Sequence, residues 1–247
     1  MKALLSLLCL LAAVPLHAEE FGVAAASDLN FAIKEIIQEF EHNTGHKVRL
    51  TLGSSGNFYA QITNGAPFDV FLSADLNYPR QLERGGQAVA GSTFVYGIGR
   101  IALWVPLRSK IDLEKVGMQA LLDPSVKKIA IANPEHEPYG RAAIAAMEKA
   151  GVYSLVKGKL VLGENISQAA QFVQSGAAEI GMIALSIALS EPMRSGKQWI
   201  VPTDTYPKLE QGAVLLKRAG PGARAFHEWL GGPQARRVFE KYGFNAG

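Results

Sequence analysis

The chain has 247 residues, 48 % of them hydrophobic, with 25 Lys+Arg against 22 Asp+Glu. That is ample for one or two globular domains with buried cores, and a charge so nearly balanced, without a basic cluster, argues against a nucleic-acid partner. The single cysteine, Cys9, falls within the first eighteen residues, so once these are removed no disulfide, zinc-thiolate or cysteine nucleophile is available.

Residues 1–18 open with Lys2, continue with an apolar run from Ala3 to Val14 and end on Leu16-His17-Ala18. A charged start, a short apolar run and a small terminal residue read as a cleavable secretory signal, too short for a membrane span. Leu8 stands where a lipid-anchor signal wants a small residue before the cysteine, and no later apolar run approaches spanning length.

Phe21 to Ala26 reads as a buried strand, and Leu29, Ile33, Ile36, Ile37 and Phe40 then follow at helical spacing. Ser27 or Asp28 is expected to cap that helix, and Asn43-Thr44-Gly45 to close it. Val48, Leu50 and Leu52 alternate as in a strand, before Gly53-Ser54-Ser55-Gly56 turns into a helix carrying Phe58, Tyr59 and Ile62. A strand of Val70 to Ala74 and a helix running to Arg84 come next.

Thr93 to Val105 predicts a long strand interrupted by Gly97 and Gly99, suited to a crossover between domains. Ile111 to Leu122 predicts a helix, Lys127 to Ala132 a strand, and Asn133 to Pro138 a rigid loop before a helix from Tyr139. Leu160 to Leu162 reads as a strand, Gly163-Glu164-Asn165-Ile166-Ser167 as the opening of a helix, and Gly176 as its stop. Ile180 to Leu185 (strand), Ser186 to Arg194 (helix), the strands at Trp199 to Val201 and Ala213 to Leu216, and two closing helices complete the chain.

Strands alternating with helices predict an α/β protein with mainly parallel sheets. Ligands of such sheets sit beyond the carboxyl ends of strands, where helices begin. Four turns have that character: Ser27-Asp28, Ser54-Ser55-Gly56, Pro138-Tyr139-Gly140 and Asn165-Ile166-Ser167. First-turn N–H groups lack intrahelical partners and bind anions readily. Two turns fall early and two in the middle, which suits two lobes facing one cleft: 19–97 plus 203–247 as one, 98–202 as the other.

Five stretches carry a resemblance over the whole mature chain: Ala24-Ala25-Ala26-Ser27, Gly53-Ser54-Ser55-Gly56, Gly65-Ala66-Pro67-Phe68-Asp69-Val70-Phe71-Leu72-Ser73-Ala74-Asp75, Asn133 to Gly140, and Gly176-Ala177-Ala178-Glu179-Ile180-Gly181. The sequence resembles the periplasmic molybdate-binding proteins of molybdate ABC transporters. The resemblance implies a two-lobed periplasmic-binding-protein fold of type II. It also implies a molybdate or tungstate ligand, no cofactor and no resident metal, a membrane permease as partner, and a periplasmic monomer. By position, Ser27 and Ser55 would each give a hydroxyl and an amide, and Tyr139 and Ile166 an amide each. Asp28 would give its amide only, its carboxylate turning away to cap the helix. With only its amide in use, Tyr139→Phe is expected to be nearly silent. The tyrosine hydroxyl of many members is missing, its place taken by Ala184.

Three other readings compete, and the signal segment with no added helix-turn-helix region argues against the first, the ligand-sensing domain of a transcription regulator. In a secreted hydrolase Ser55 would be the nucleophile, but no G-x-S-x-G surrounds it and no histidine is evidently paired with it. A receptor for another small anion is the nearer competitor, since fold does not fix the ligand. His42 and His46 have a metal-compatible spacing but read as a solvated pair at a polar helix end. Arg141 reads as a solvated side chain, and Glu135-His136-Glu137 as part of the rigid loop.

Overall fold

The computed structural model describes residues 18–245; the predicted signal, Cys9 included, lies outside them apart from its last residue. The strands are β1 (Glu20–Ala26), β2 (Lys47–Gly53), β3 (Val70–Ser73), β4 (Phe94–Gly99), β5 (Ile101–Val105), β6 (Ile129–Ala132), β7 (Leu160–Gly163), β8 (Ile180–Ala184), β9 (Lys197–Ile200) and β10 (Leu209–Leu215). The helices are α1 (Asn30–Thr44), α2 (Ser55–Thr63), α3 (Asn77–Arg84), α4 (Leu113–Val116), α5 (Pro138–Lys149), α6 (Tyr153–Val156), α7 (Ile166–Ser175), α8 (Leu185–Ala188), α9 (Pro221–Leu230) and α10 (Pro233–Lys241). Among these residues no helix is long and apolar enough to cross a membrane.

The strands form two five-stranded sheets, ordered β2-β1-β3-β10-β4 and β7-β6-β8-β5-β9. In each sheet one strand, β10 or β5, runs against its neighbours, and the rest share one direction. The architecture is therefore α/β with two lobes and mixed, predominantly parallel sheets. The expected long strand from Thr93 to Val105 breaks at Arg100, and its halves enter different sheets.

β1 shows why the centre of the first sheet is so poor in polar groups. Phe21, Val23 and Ala25 face the cluster of Ile33, Ile36, Phe40 and Phe226, while Ala24 faces Phe58, Phe71 and Leu82 on the other side. A strand covered by helices on both faces must be apolar at every position. Each fully buried Ile or Phe in these layers contributes about 1.5–3 kcal/mol.

The predicted helix from Ile111 to Leu122 is split. Gly117 has φ +52, which a right-handed helix cannot continue, leaving α4 and a 3-10 stretch, Gly117–Leu122. The helix expected from Ser186 to Arg194 is likewise short, ending at Ala188.

Candidate functional site

Three helix starts contain an unusually complete set of hydrogen bonds. In α2, the Gly56 amide donates to His136 O (3.0 Å) and the Asn57 amide to the Ser54 cap (3.3 Å). In α7, the Ser167 amide donates to Ser27 Oγ (3.3 Å) and the Gln168 amide to the Asn165 cap (3.1 Å). In α5, Pro138 has no N–H, and the Gly140 and Arg141 amides both donate to Glu137 O. One amide is left over in each helix, and these are Ser55, Ile166 and Tyr139. All three residues are buried, where an unmade hydrogen bond costs about 1–3 kcal/mol. Three such amides in one region await an acceptor.

Two buried hydroxyls stand beside them. Ser55 Oγ accepts from the Ala74 amide (2.9 Å) and Ser27 Oγ from the Ser167 amide, and neither donates to any group among the described residues. Each hydroxyl is thus held through its oxygen, with its proton free for an incoming anion.

The two lobes are shut over this region. Ser167 Oγ donates to Ser27 O (2.8 Å), Ser186 Oγ to Asp28 O (2.7 Å) and Asn57 Nδ2 to Glu164 Oε1 (2.7 Å). Ser54 Oγ meets His136 Nδ1 at 3.0 Å, and Arg141 pairs with Asp75 at 3.0 Å. Arg141 is therefore an interlobe tie, not only a solvated side chain.

Asp28 departs from expectation. Its carboxylate caps no helix. Instead Oδ2 accepts from Tyr139 Oη (2.9 Å) and Gln211 Nε2 (2.6 Å), and Tyr96 Oη reaches Gln211 Oε1 at 2.8 Å. Asp28 is fully buried, and two side-chain donors, Tyr139 and Gln211, draw its carboxylate away from the helix start. Burial raises its carboxyl to about 6, against the pull of the Gln211 and Tyr139 hydrogen bonds. This network joins Tyr139 of the second lobe to Asp28 and Gln211 of the first. Tyr139→Phe is consequently expected to lower stability by about 1–3 kcal/mol. A thermal melt of the variant beside the parent checks this, and an unchanged midpoint would show the phenol to be dispensable.

Glu137, read from sequence as part of a loop, is wholly buried, and neither of its carboxyl oxygens has a hydrogen-bond partner. The amides of Ser55 and Ile166 face that carboxyl from opposite lobes, close enough to favour its charge without closing a bond of ordinary geometry. Burial, reinforced by the charge of Asp28, drives it well above the usual carboxylate range, and the Ser55 amide, the Arg141 guanidinium and the Ile166 amide offset only part of the rise.

All five residues singled out from sequence are thus gathered here: Ser55 and Ile166 on the Glu137 carboxyl, Ser27 at the start of α7, and Asp28 bonded to Tyr139. Glu137, Gln211 and Ser167 were not anticipated. A proline-flanked Glu-His-Glu resembles any polar loop, and Gln211 lies 183 residues from Asp28. The reading of His42 and His46 as a solvated pair is corrected at His46, which is 6 % exposed. It stacks on Phe40 and accepts from the Glu19 amide at 3.1 Å. Ser55 has no histidine partner; His136 meets Ser54, whose Oγ is already engaged as a helix cap. Among the described residues no group of three or more His, Cys, Asp and Glu could hold a metal ion.

A model of the family "Bacterial extracellular solute-binding protein" matches residues 21–245. The chain is 41 % identical over 231 residues to a molybdate-binding protein ModA of Azotobacter vinelandii, covering 92 % of this chain and 90 % of the relative. A ModA of Rhodobacter capsulatus is also 41 % identical, over 234 residues, with 94 % and 90 % covered. Among solved structures, the periplasmic molybdate-binding protein of Azotobacter vinelandii superposes with a TM-score of 0.85 at 32 % identity, covering 92 % of this chain and 99 % of that one.

Proposed function

The chain belongs to the bacterial extracellular solute-binding proteins, and we propose on that premise that it binds molybdate between its lobes and delivers it to the permease of an ABC transporter. The observation that carries the reading is the pair of unpaired amides, Ser55 and Ile166, facing one point from opposite lobes. With the Tyr139 amide and the Ser27 and Ser55 hydroxyls they form a set of neutral donors. Fixed dipoles of this kind stabilise an anion without a counter-charge, because they need no reorganisation when it arrives. The Arg141 guanidinium, the cation nearest in sequence, is engaged by Asp75.

Tungstate, of the same charge and shape, is a second ligand of this site. Sulfate, a smaller tetrahedron, fits poorly between donors fixed on two closing lobes. The chain works as a receptor without catalysis, as a monomer exported to the periplasm and cleaved after Ala18. We place the lobe crossovers at Arg100 and between β9 and β10, where the backbone passes from one sheet to the other. Ligand release then proceeds by hinge opening about those two crossovers.

Calorimetric titration with molybdate, tungstate, sulfate and phosphate tests the reading. Molybdate and tungstate are expected to bind far more tightly than the other two. Tighter binding of sulfate or phosphate would assign the chain to a different anion.

A further inference from the structure

Glu137 is hard to explain in a site built for a dianion. It holds a buried carboxyl with no partner where the Ser55 and Ile166 amides meet, and a negative charge there repels any oxyanion. An apolar residue would fill the same space without that conflict. The carboxyl must therefore either leave the site or lose its charge whenever an anion is bound.

Leaving is obstructed by its surroundings. Glu137 immediately precedes Pro138, the first residue of α5, and its carbonyl accepts the Gly140 and Arg141 amides. On the other side, His136 is fastened to Ser54 through its ring and to Gly56 through its carbonyl. The backbone at Glu137 is thus pinned on both sides while the cleft is shut.

We infer that Glu137 is a member of the binding site whose carboxyl shares one proton with the bound oxyanion, so that this chain takes up a proton as it closes on molybdate. The inference rests on the oxyanion reading above and adds the protonation state of the complex to it. In the open cleft the side chain is hydrated and ionised at neutral pH, like an ordinary carboxylate. On closure it is buried beside the ligand and takes a proton from solvent, becoming a donor to an anion oxygen. No proton is lost elsewhere, and the complex gains one. The ligand class that suits the site is a tetrahedral oxyanion that arrives without a proton and meets the one that Glu137 takes from solvent.

The charged groups around Glu137 are few. Asp28, on the turn after β1, and Arg141, on α5, act on it with opposite sign. Arg141 is tied to Asp75, and neighbouring His136 lies 3.8 Å from Glu164. The starts of α2 and α7 present amides. Asp28 is the buried carboxyl that acts on Glu137 and could take the proton in its place, so the two must be told apart.

The experiment is calorimetric titration of the mature protein with molybdate in buffers of different ionisation enthalpy, which counts protons directly, for the parent and for Glu137→Gln. The parent is expected to take up close to one proton per molybdate near pH 8 and to lose affinity about tenfold per pH unit above neutrality. Glu137→Gln keeps a donor of the same shape, and should bind with no uptake and with an affinity flat in pH. Parent binding without proton uptake overturns the inference, as does uptake that survives in Glu137→Gln, which would move the proton to Asp28. The parent measurement stands even if the variant fails to fold. Absence of any molybdate binding overturns both this inference and the function proposed above, whereas binding without uptake overturns this one alone.

Discussion

Replacing Gly56 with valine is expected to weaken molybdate binding by about a hundredfold or more while leaving each lobe folded. A Cβ at Gly56 would lie 2.7 Å from His136 O and 3.0 Å from His136 Cα, both backbone atoms of the opposite lobe. Neither can yield as a flexible side chain would, so the lobes must stay apart. With the cleft held open the ligand loses the Tyr139 and Ile166 amides. Two hydrogen bonds to a charged group at about 1.5–3 kcal/mol each set the size of the loss. The first lobe itself is spared, because Gly56 needs no unusual φ and the nearest atoms to an added Cβ all belong to His136 of the other lobe. Titration calorimetry reads the affinity, and small-angle scattering reads the missing compaction. A variant that binds and compacts like the parent would show that closure at His136 is not required.

Removing the Ser27 and Ser55 hydroxyls together is the second large effect. Each serine-to-alanine change is expected to cost about tenfold to a hundredfold in affinity, from one lost bond to a charged acceptor. Both act on the same ligand, so the double variant need not equal the product of the two. Each change also leaves a first-lobe or second-lobe amide without its acceptor, Ala74 for Ser55 and Ser167 for Ser27. A drop in melting temperature therefore accompanies the lost affinity, and affinity should be measured well below the midpoint. A double variant that binds molybdate like the parent would place the anion elsewhere.

Much of the fold was legible because its signals are local. Alternation in Val48, Leu50 and Leu52 marked β2, and the continuous apolar runs at β1 and β8 marked strands covered on both faces. The serine-rich turns were legible for the same reason, since a strand passing into a helix leaves its first amides free wherever it occurs. The direction of β5 and β10 was not, because periodicity carries no information about which neighbour a strand pairs with. Nor was the break at Gly117, where a positive φ interrupts a pattern that reads as helical.

The site was half legible. Helix-start amides show in the sequence only as turns, which is why the turn at Tyr139 was legible while the hydrogen bonds of its phenol were not. That phenol contacts Asp28 and Gln211, 111 and 72 residues away. Glu137 was obscured by its own composition, as a glutamate between a histidine and a proline gives no hint of complete burial. Its carboxyl became informative only beside the two amides that face it.

The most direct test of the central claim is a crystal structure of the mature chain with molybdate, the metal located by its anomalous scattering. The anion is expected between the lobes, with its oxygens about 2.7–3.2 Å from the amides of Ser55, Tyr139 and Ile166 and the hydroxyls of Ser27 and Ser55. Molybdate bound elsewhere, with those three amides still without an acceptor, would contradict that claim.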